Sequence, residues 1–318
     1  MTLGDGGNGS GKMCADGSSD AALMTAGEAR EERVSVSDGS TSADGSIDRL
    51  RGFFVESGPV VVAFSSGVDS SLVAWAANDV LGRDALCVTA VSPSLATDEA
   101  ADCAVLAAEW GLAWRTVETD EMSRAAYRTN DTDRCFHCKS ALMDQLEPLA
   151  AERGALVVLG VNLDDLGDHR PGQQAAGDRG ARFPLVEAGF SKADVRRVSA
   201  DLGLRTWDKP AAACLASRVP YGTQVTVPLL ARLDRAEAAL RRLGFAQLRV
   251  RDYGDTARIE LPLDDLGEAV RRREAVVEAV SGVGYRYVTL DLEGFRSGNL
   301  NGALADDVSL PRARGVCG

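Results

Sequence analysis

Short apolar runs alternate with segments of helical periodicity in the first part of the chain. A run of consecutive apolar residues bounded by turn residues is typical of a strand that is buried on both faces. Such runs lie at residues 60–64, 85–91 and 155–160, and residues 114–119 are a further candidate strand. Apolar residues at helical spacing occupy residues 72–81, 98–110, 139–153 and 192–202. This alternation predicts an α/β fold in which a parallel sheet is covered by helices on both faces.

The pattern changes after residue 222. Two strands are predicted at residues 247–252 and 257–261, joined by a hairpin turn at Tyr253-Gly254-Asp255. Helices are predicted at residues 228–243 and 264–280, and a last strand at residues 285–292. We therefore expect four regions: a disordered leader over 1–45, an α/β domain over 46–222, a smaller α+β domain over 223–300 and a loose tail over 301–318.

The composition is that of a globular protein, with 45% hydrophobic and 26% charged residues among 318. No apolar run approaches the roughly 18 residues that a membrane helix needs, and the Gly- and Ser-rich start lacks the apolar core of a secretory signal. We expect a cytoplasmic homo-oligomer that does not bind membranes. The net charge of −12 disfavours attraction to a phosphate backbone, so a small-molecule substrate is favoured over nucleic acid.

A loop of small residues joins the first predicted strand to the first predicted helix. It reads Ser65-Ser66-Gly67-Val68-Asp69-Ser70-Ser71. Small residues allow a ligand to approach the backbone closely, and the exposed amides of a helix start bind anions. Asp69 would repel a bare phosphate, but a bridging Mg²⁺ removes that conflict. The loop therefore predicts a phosphate and Mg²⁺ site. The alternative is an ordinary helix cap, with Asp69 or Ser70 as the capping residue.

The cysteines provide the second candidate site. Cys135 and Cys138 form a CxxC pair that we expect to precede a helix. Two thiolates do not complete a metal site, and Cys214 is the best candidate for a third ligand, with Arg218 near it in sequence to lower its thiol pKa. The set suits a 4Fe–4S cluster with one open iron. The alternatives are Zn²⁺ with His137, a redox dithiol or plain structural thiols. Two other cysteines are expected to be buried core residues: Cys87 and Cys103.

Two further polar clusters are candidates for ligand binding. The loop after the fourth predicted strand lies where α/β proteins bind ligands. It carries Asn162, Asp164, Asp165, Asp168 and Arg170. The predicted hairpin carries three arginines that can contact a phosphate or a carboxylate: Arg249, Arg251 and Arg258. The alternatives are a solvated loop that caps itself and an exposed charged face.

Taken together, these segments resemble the LarE family, the ATP-dependent sulfur transferases of nickel-pincer nucleotide cofactor synthesis. The loop at residues 65–71 resembles the PP-loop of the ATP pyrophosphatases, which several families share. Two segments are more specific: Asp164-Asp165-Leu166-Gly167-Asp168-His169-Arg170-Pro171-Gly172 and Ala213-Cys214-Leu215-Ala216-Ser217-Arg218-Val219-Pro220-Tyr221-Gly222-Thr223. Further matches are Arg134-Cys135-Phe136-His137-Cys138-Lys139, Thr206-Trp207-Asp208-Lys209-Pro210 and Tyr287-Val288-Thr289-Leu290-Asp291-Leu292-Glu293-Gly294. The resemblance covers roughly residues 48–300.

The chain departs from the family pattern at two positions. Ser66 stands where Gly is usual, and a positive φ there would strain a serine. Val161 stands where we expect Thr, so a hydroxyl that contacts nucleotide or substrate is missing. Because serine is small and can still donate a hydrogen bond, we expect ATP binding to survive.

The resemblance implies a PP-loop, Rossmann-like fold and a two-step reaction. ATP activates one carboxylate of pyridinium-3,5-biscarboxylic acid mononucleotide as an acyl-adenylate and releases pyrophosphate. Sulfur then replaces AMP to give a thiocarboxylate. Family members with three cysteines resemble 4Fe–4S enzymes that pass on a cluster-bound sulfide, whereas members with only the counterpart of Cys214 sacrifice its sulfur. The presence of Cys135, Cys138 and Cys214 indicates the cluster route, with single-use donation from Cys214 as the alternative.

Roles for individual residues follow from the motifs and the resemblance. Sulfur delivery is expected from Cys135, Cys138 and Cys214, and Mg²⁺ binding from Asp69. ATP binding is expected from Ala63, Phe64, Ser65, Ser66, Gly67, Val68, Asp69, Ser70, Ser71, Asn162 and Asp165. Substrate binding is expected from Arg134, Arg170, Ser217, Arg218, Arg249, Arg251 and Arg258.

Other functions compete with this interpretation. A PP-loop is also found in tRNA-thiolating enzymes and in amide and NAD synthetases, and a nucleotide sensor would use the same loop without catalysis. The acidic charge disfavours tRNA, and amidation by ammonia does not need Cys214. With only two histidines, His137 and His169, the chain is a poor fit to a Ser–His–Asp hydrolase.

Overall fold

Four parallel strands form the central sheet of the computed structural model, which describes residues 43–167, 171–210 and 213–296. The strands are β1 (Val60–Ala63), β2 (Ala85–Val91), β3 (Ala113–Glu118) and β4 (Leu156–Leu159). Their order in the sheet is β3-β2-β1-β4. Each lies within two residues of its predicted bounds, and the prediction of an α/β fold with a parallel sheet is confirmed.

Strand β1 lies between β2 and β4, so the strand order reverses at this point of the sheet. Val60 pairs with Ala85 on one side and with Leu156 on the other. In open α/β sheets, ligands bind at the carboxyl ends of the strands where the order reverses. The fold therefore places the loop after β1 and the loop after β4 side by side at such a point.

Helices cover both faces of this sheet. They are α1 (Ala43–Ser57), α2 (Val68–Leu81), α3 (Thr97–Glu109), α4 (Ala125–Thr129), α5 (Arg134–Arg153), α6 (Pro171–Gly177), α7 (Pro184–Glu187) and α8 (Lys192–Asp201). Successive residues of β1 point to opposite faces. Val60 and Val62 join a core that includes α1, α2 and α8, whereas Val61 joins a second core with Met143 and Leu146 of α5.

Helix α1 was not predicted, and its first residues fall inside the predicted disordered leader. Ile47, Leu50 and Phe54 are buried in the first core. Their spacing of three and four residues is the helical signal, but the Gly- and Ser-rich composition on the N-terminal side hid it. The rest of the predicted leader, residues 1–42, lies outside the described residues, as does the tail from residue 297.

A second, three-stranded sheet follows, in the order β5-β6-β7. Its strands are β5 (Arg249–Tyr253), β6 (Thr256–Glu260) and β7 (Tyr287–Leu290), and its helices are α9 (Val227–Arg242), α10 (Leu263–Arg271) and α11 (Arg273–Ser281). The predicted hairpin is confirmed, because Tyr253 pairs with Thr256 across a turn in which Gly254 has a φ of 71°. The single helix predicted at residues 264–280 is instead two helices that meet at Arg272.

The second sheet has a hydrophobic core of its own. This third core contains Leu230 and Leu233 of α9 and Val250 of β5, and it also takes in Leu215 and Ala216, which come from the segment before the sheet. The described residues from 43 to 296 belong to one compact unit. A domain boundary near residue 222 stays a prediction. Within the described ranges, no helix combines the length and the apolar character that crossing a bilayer requires.

Candidate functional site

The predicted phosphate loop leaves β1 and runs directly into α2. Gly67 is the N-cap of α2, and no side chain caps it. The alternative in which Asp69 or Ser70 caps the helix is therefore wrong. The Ser70 hydroxyl instead accepts a hydrogen bond from Ser65 N (3.2 Å) and donates one to the Gly67 carbonyl (3.1 Å). Because first-turn N–H groups have no acceptor within the helix, this end of α2 can bind an anion.

The remaining loop residues anchor the loop to the sheet. Ala63 ends β1. Phe64 is buried, and its N–H donates to the Val88 carbonyl of β2 at 2.9 Å. Val68 is buried in the first core. The Ser71 hydroxyl is buried and has no hydrogen-bond partner among the described residues. These contacts fix the loop backbone at the edge where the strand order reverses.

Ser66 adopts the backbone conformation that glycine favours. Its φ is 53°, and it is fully buried. A non-glycine residue in this region carries strain of about 1–2 kcal/mol. Two hydrogen bonds offset that strain: the Ser66 hydroxyl donates to Glu99 Oε2 (3.1 Å) and accepts from Lys209 Nζ (2.9 Å). The hydroxyl therefore gives this chain contacts that glycine could not make.

Asp69 and Asn162 were both predicted to bind nucleotide, and the structure brings them together. Asn162 Nδ2 donates to Asp69 Oδ1 at 2.9 Å, and Lys192 Nζ lies 2.5 Å from Asp69 Oδ2. Asp165 Oδ2 accepts from Asn162 N at 3.2 Å, which orders the loop after β4. Asp164 Oδ2 accepts a hydrogen bond from the Lys192 backbone N–H at 2.8 Å, so this carboxylate caps the start of α8.

Two lysines beside the phosphate loop were missed by sequence reasoning. Lys192 is the first residue of α8, and Lys209 lies in the segment after α8. Lys209 Nζ contacts Glu99 Oε2 (2.8 Å) and Asp102 Oδ2 (2.6 Å). Burial acts to raise the pKa of Asp102, but hydrogen bonds from Lys209 and Arg205 outweigh it and lower that pKa. The signal available in the sequence was the presence of Lys209 in a family-like segment, without any indication of its partners.

The CxxC pair lies inside a helix rather than before it, which corrects the prediction. Helix α5 begins at Arg134, so Cys135 and Cys138 are its second and fifth residues. Cys214 is the N-cap of a short 3₁₀ helix, Leu215–Arg218. Cys135 is exposed, whereas Cys138 and Cys214 are half-buried. Cys138 and Cys214 both pack against the third core.

The three thiols lie close enough for two of them to affect the pKa of the third. Burial raises the pKa of Cys138 to about 12, and the neighbouring thiols of Cys214 and Cys135 act in the same direction. In the described part of the chain, however, no group of three or more His, Cys, Asp or Glu side chains is arranged to hold a metal ion. This gives no support to the Zn²⁺ alternative or to the predicted cluster site, and the cluster stays a prediction. His137 Nε2 contacts Asp133 Oδ2 (3.1 Å).

Arg134 is a buried residue next to the CxxC pair. Its side chain is in a protein network: Nη1 donates to the Ala216 carbonyl (2.8 Å) and to Asn130 Oδ1 (2.5 Å). Burial acts to lower the pKa of Arg134, but the thiols of Cys214 and Cys135 outweigh it and raise that pKa. The guanidinium therefore stands between the two cysteine-bearing segments. Its contact with substrate stays a prediction.

Ser217, Arg218 and Arg251 form a second network around Cys214. Arg218 Nη1 donates to the carbonyls of Ala213 (2.6 Å) and Cys214 (3.2 Å), and Arg218 Nε donates to Glu237 Oε1 (2.9 Å). Arg251 Nη1 donates to the Ser217 carbonyl at 2.6 Å. Arg251 also forms a bidentate pair with Glu260, with distances of 2.9 and 3.0 Å. These predicted substrate residues thus hold the Cys214 segment, and their substrate contacts stay predictions.

Arg249 differs from its neighbours because, among the described residues, no carboxylate forms an ion pair with it. Burial, with the charges of Arg218 and Arg251, lowers the pKa of Arg249 to about 10. Its guanidinium lies 4.5 Å from the centre of the Phe295 ring. Arg258, in contrast, pairs with Glu260 at 3.1 Å. The alternative of an exposed charged face is wrong for Arg249 and Arg251, which are only 7% and 2% exposed.

The remaining positions singled out in the sequence lie either outside the described residues or in the hydrophobic cores. Arg170 and its neighbours Asp168 and His169 fall outside the described residues. Cys87 and Cys103 are buried core residues, as predicted, and burial raises the pKa of Cys87 to about 12. Val161, the second departure from the family pattern, is buried in the core that contains α5.

Known proteins provide an independent comparison. No protein-family profile matches the chain. Similar proteins include an uncharacterized protein of Synechocystis sp., 49% identical over 261 residues, which cover 81% of this chain and 97% of that protein. The pyridinium-3,5-bisthiocarboxylic acid mononucleotide synthase of Lactiplantibacillus plantarum is 42% identical over 247 residues, covering 77% of this chain and 90% of the synthase. An uncharacterized protein of Methanocaldococcus jannaschii is 25% identical over 239 residues, covering 75% of this chain and 91% of its own.

Proposed function

Because the chain belongs to the LarE family of sulfur-transferring enzymes, we propose that it adenylates a pyridinium carboxylate with ATP and replaces the adenylate by sulfur. The substrate is pyridinium-3,5-biscarboxylic acid mononucleotide, and the product is its thiocarboxylate. The similarity to a named synthase of the bisthiocarboxylate is the observation that carries this proposal. The position of the phosphate loop and the electrostatic influence of Cys135 and Cys214 on Cys138 support it.

In the first step a substrate carboxylate oxygen attacks the α-phosphorus of ATP, and pyrophosphate leaves. The chain's part is to bind and orient the leaving group. The first turn of α2 offers backbone N–H groups, and Ser65 and Ser70 line the loop before it. Phe64 and Val68 fix the loop against β2 and the first core. The other predicted nucleotide-binding positions of the loop are Ala63, Ser66, Gly67 and Ser71. Asn162 and Asp165 complete the site from the loop after β4.

Asp69 is the proposed Mg²⁺ ligand, since its carboxylate lies in the first turn of α2. The donor set fits the ion, because Mg²⁺ takes one or two protein carboxylates and completes its shell with phosphate oxygens and water. Lys192 holds the same carboxylate in the described structure. Mg²⁺ would therefore compete with Lys192 for the Asp69 carboxylate.

In the second step sulfur attacks the acyl carbon, and AMP leaves. Cys135, Cys138 and Cys214 are the sulfur-handling residues. Their donor set fits a 4Fe–4S cluster, because such a cluster takes each thiolate on a different iron and needs less convergence than one metal ion does. When bound, the cluster would supply an exchangeable sulfide. The alternative is direct donation from Cys214, which uses the protein once.

The arginines supply the charge that an anionic substrate needs. Arg249 is the strongest candidate, since among the described residues no carboxylate forms an ion pair with its guanidinium, which donates to the Arg296 carbonyl (3.3 Å). Ser217, Arg218 and Arg251 lie around the Cys214 segment. The other residues predicted to bind substrate are Arg134, Arg170 and Arg258.

We place the enzyme in the cytoplasm, because a reducing compartment keeps the described cysteines as free thiols. The homo-oligomer stays a prediction.

The test is an anaerobic incubation of the purified enzyme with ATP, Mg²⁺ and the pyridinium dicarboxylate. Pyrophosphate, AMP and thiocarboxylate should appear together, and omission of the dicarboxylate should stop pyrophosphate release. A protein that binds ATP without releasing pyrophosphate would be a nucleotide sensor.

Iron content and turnover then separate the two sulfur routes. With sulfide added as the sulfur source, several products per chain in iron-containing protein, lost in Cys135→Ala, indicate the cluster. One product per chain in iron-free protein, with loss of sulfur from Cys214, indicates single use. Product formation that persists in Cys214→Ala would exclude both routes.

A further inference from the structure

Two chain segments that each carry part of the cysteine site are joined by a dense set of hydrogen bonds. One segment runs from the end of α4 into α5, and the other follows Cys214. Two backbone bonds connect them: Gly222 N donates to the Asn130 carbonyl (3.1 Å), and Val225 N donates to the Arg128 carbonyl (2.9 Å).

The side chain of Asn130 adds the larger part of this connection. Its Nδ2 amide lies within hydrogen-bond distance of three carbonyls: Val219 (3.3 Å), Pro220 (2.8 Å) and Thr223 (3.0 Å). Its Oδ1 accepts from Arg134 Nη1, which also donates to the Ala216 carbonyl. Both ends of the amide therefore form hydrogen bonds: Nδ2 with the segment after Cys214, and Oδ1 with the start of α5.

Asn130 makes these contacts from an unusual backbone conformation. It is the C-cap of α4, with φ 60° and ψ 46°, and it is fully buried. Asparagine tolerates the left-handed region better than most residues, but glycine would adopt it without strain. A cap needs only this conformation, whereas the contacts with the Cys214 segment need the amide.

The positions of the cysteines relative to these contacts suggest a purpose. Arg134 directly precedes Cys135, and Ala216 lies two residues after Cys214. We infer that Asn130 and Arg134 are positioning residues that hold Cys214 against Cys135 and Cys138 for sulfur transfer. This inference rests on the proposed function, in which the three thiols act together. It gives Arg134 a role through the loop rather than through substrate.

Disulfide trapping in the metal-free, reduced enzyme tests the inference without ATP or substrate. Brief treatment with diamide and peptide mass spectrometry give the yields of two cross-links, Cys138–Cys214 and Cys135–Cys138. The second is local to the start of α5 and serves as an internal reference. In Asn130→Gly the yield ratio should fall by roughly tenfold, because about one or two net hydrogen bonds no longer order the Cys214 segment.

Matched variants guard against a trivial loss of structure. Asn78→Ala removes another side-chain bond to a carbonyl, from Asn78 Nδ2 to Trp110 (3.3 Å), and should leave the ratio unchanged. Arg134→Lys keeps a cation that can reach one acceptor, so it should lower the ratio less than Arg134→Met. If Asn130→Gly fails to fold by circular dichroism, the two Arg134 variants decide the question.

Outcomes separate this inference from the proposed function. In active enzyme, Asn130→Gly should slow thiocarboxylate formation while substrate-dependent pyrophosphate release stays at the wild-type rate. A cross-link ratio equal to that of the wild type in folded Asn130→Gly and Arg134→Met overturns the positioning role, whatever the activity. A ratio that falls as expected in a protein without sulfur transfer would leave the positioning intact and remove the proposed reaction.

Discussion

Lys192 Nζ lies 2.5 Å from Asp69 Oδ2, so a protein cation holds the carboxylate that the loop sequence suggests for Mg²⁺. The other carboxylate oxygen accepts from Asn162. Asp69 is thus neutralised and oriented before any metal arrives. A charge-assisted hydrogen bond contributes about 1.5–3 kcal/mol, which makes this contact a measurable competitor for Mg²⁺.

Replacement of Lys192 by methionine should ease the entry of Mg²⁺. In Lys192→Met, the Mg²⁺ concentration that half-saturates ATP binding should fall by roughly tenfold, since about 1.4 kcal/mol of competition disappears. Isothermal titration of ATP at several Mg²⁺ concentrations measures this. Arg273→Met removes an exposed cation on α11 and should change nothing. An unchanged Mg²⁺ requirement in Lys192→Met would show that the two cations do not compete.

Gly160 is required by close packing between the end of β4 and the start of α2. A Cβ at this position would lie 2.6 Å from Ser70 N and 2.8 Å from the Asp69 carbonyl carbon, so the backbone must shift. Gly160→Ala should cost about 1–3 kcal/mol of unfolding free energy and weaken ATP binding. Gly52→Ala is the matched control: it lies in α1 with open space around it and should stabilise the helix by about 1 kcal/mol. Urea unfolding compares the two. If Gly160→Ala had the same unfolding free energy as the wild type, the end of β4 and the start of α2 would not be in close contact.

Glu237 is a buried carboxylate that supports the Cys214 segment through Arg218. It is 0% exposed, and it also accepts from Arg241 Nη2 (3.0 Å) and Val250 N (3.1 Å). Glu237→Ala leaves the Arg218 charge buried without its partner, and we expect a loss of about 3–5 kcal/mol in unfolding free energy. Glu274→Ala, at an exposed position on α11, should change it by less than about 0.5 kcal/mol. A similar small change in Glu237→Ala would contradict the assigned network.

The thiols should differ in reactivity according to burial. In the metal-free enzyme, iodoacetamide should label exposed Cys135 first and leave Cys87 unlabelled until the protein unfolds. Because burial raises the pKa of Cys87 to about 12, its thiol stays protonated at neutral pH. Thiolate is the reactive form, and even at pH 9 only about one Cys87 side chain in a thousand would carry it. Peptide mass spectrometry at pH 7 and pH 9 measures the order. Rapid labelling of Cys87 in folded protein would contradict its placement in the core.

Three strands of the central sheet, β1, β2 and β4, were predictable because their burial gives each of them a nearly uninterrupted apolar run. Val60 to Ala63 and Leu156 to Leu159 show this most clearly. The edge strand β3 lacks this signal, since its sequence mixes apolar and polar residues. The same signal located the predicted phosphate loop, since the start of a helix directly after a buried strand offers backbone N–H groups to an anion. Helix α1 was not predicted because its three core residues follow a leader of very different composition.

Side-chain partners in the site were not predictable in the same way. The contacts of Lys192 with Asp69 and of Lys209 with Glu99 join residues more than a hundred positions apart. Periodicity reports which face of an element is buried, but it carries no information about which charge meets which. Burial was also hard to predict for Arg249 and Arg251. Their alternation with apolar residues left an exposed charged face as an alternative, yet the second sheet buries both side chains.

The burial of Leu215 and Ala216 in the third core has a consequence for how this enzyme can vary among relatives. Leu215 and Ala216, beside the proposed sulfur donor Cys214, lie in the core of the smaller sheet. The proposed nucleotide loop packs against the core of the larger sheet. Substitutions that loosen the smaller interior should erode sulfur delivery first and leave carboxylate activation working. A lineage could therefore lose or replace its sulfur chemistry while it inherits the activation chemistry unchanged.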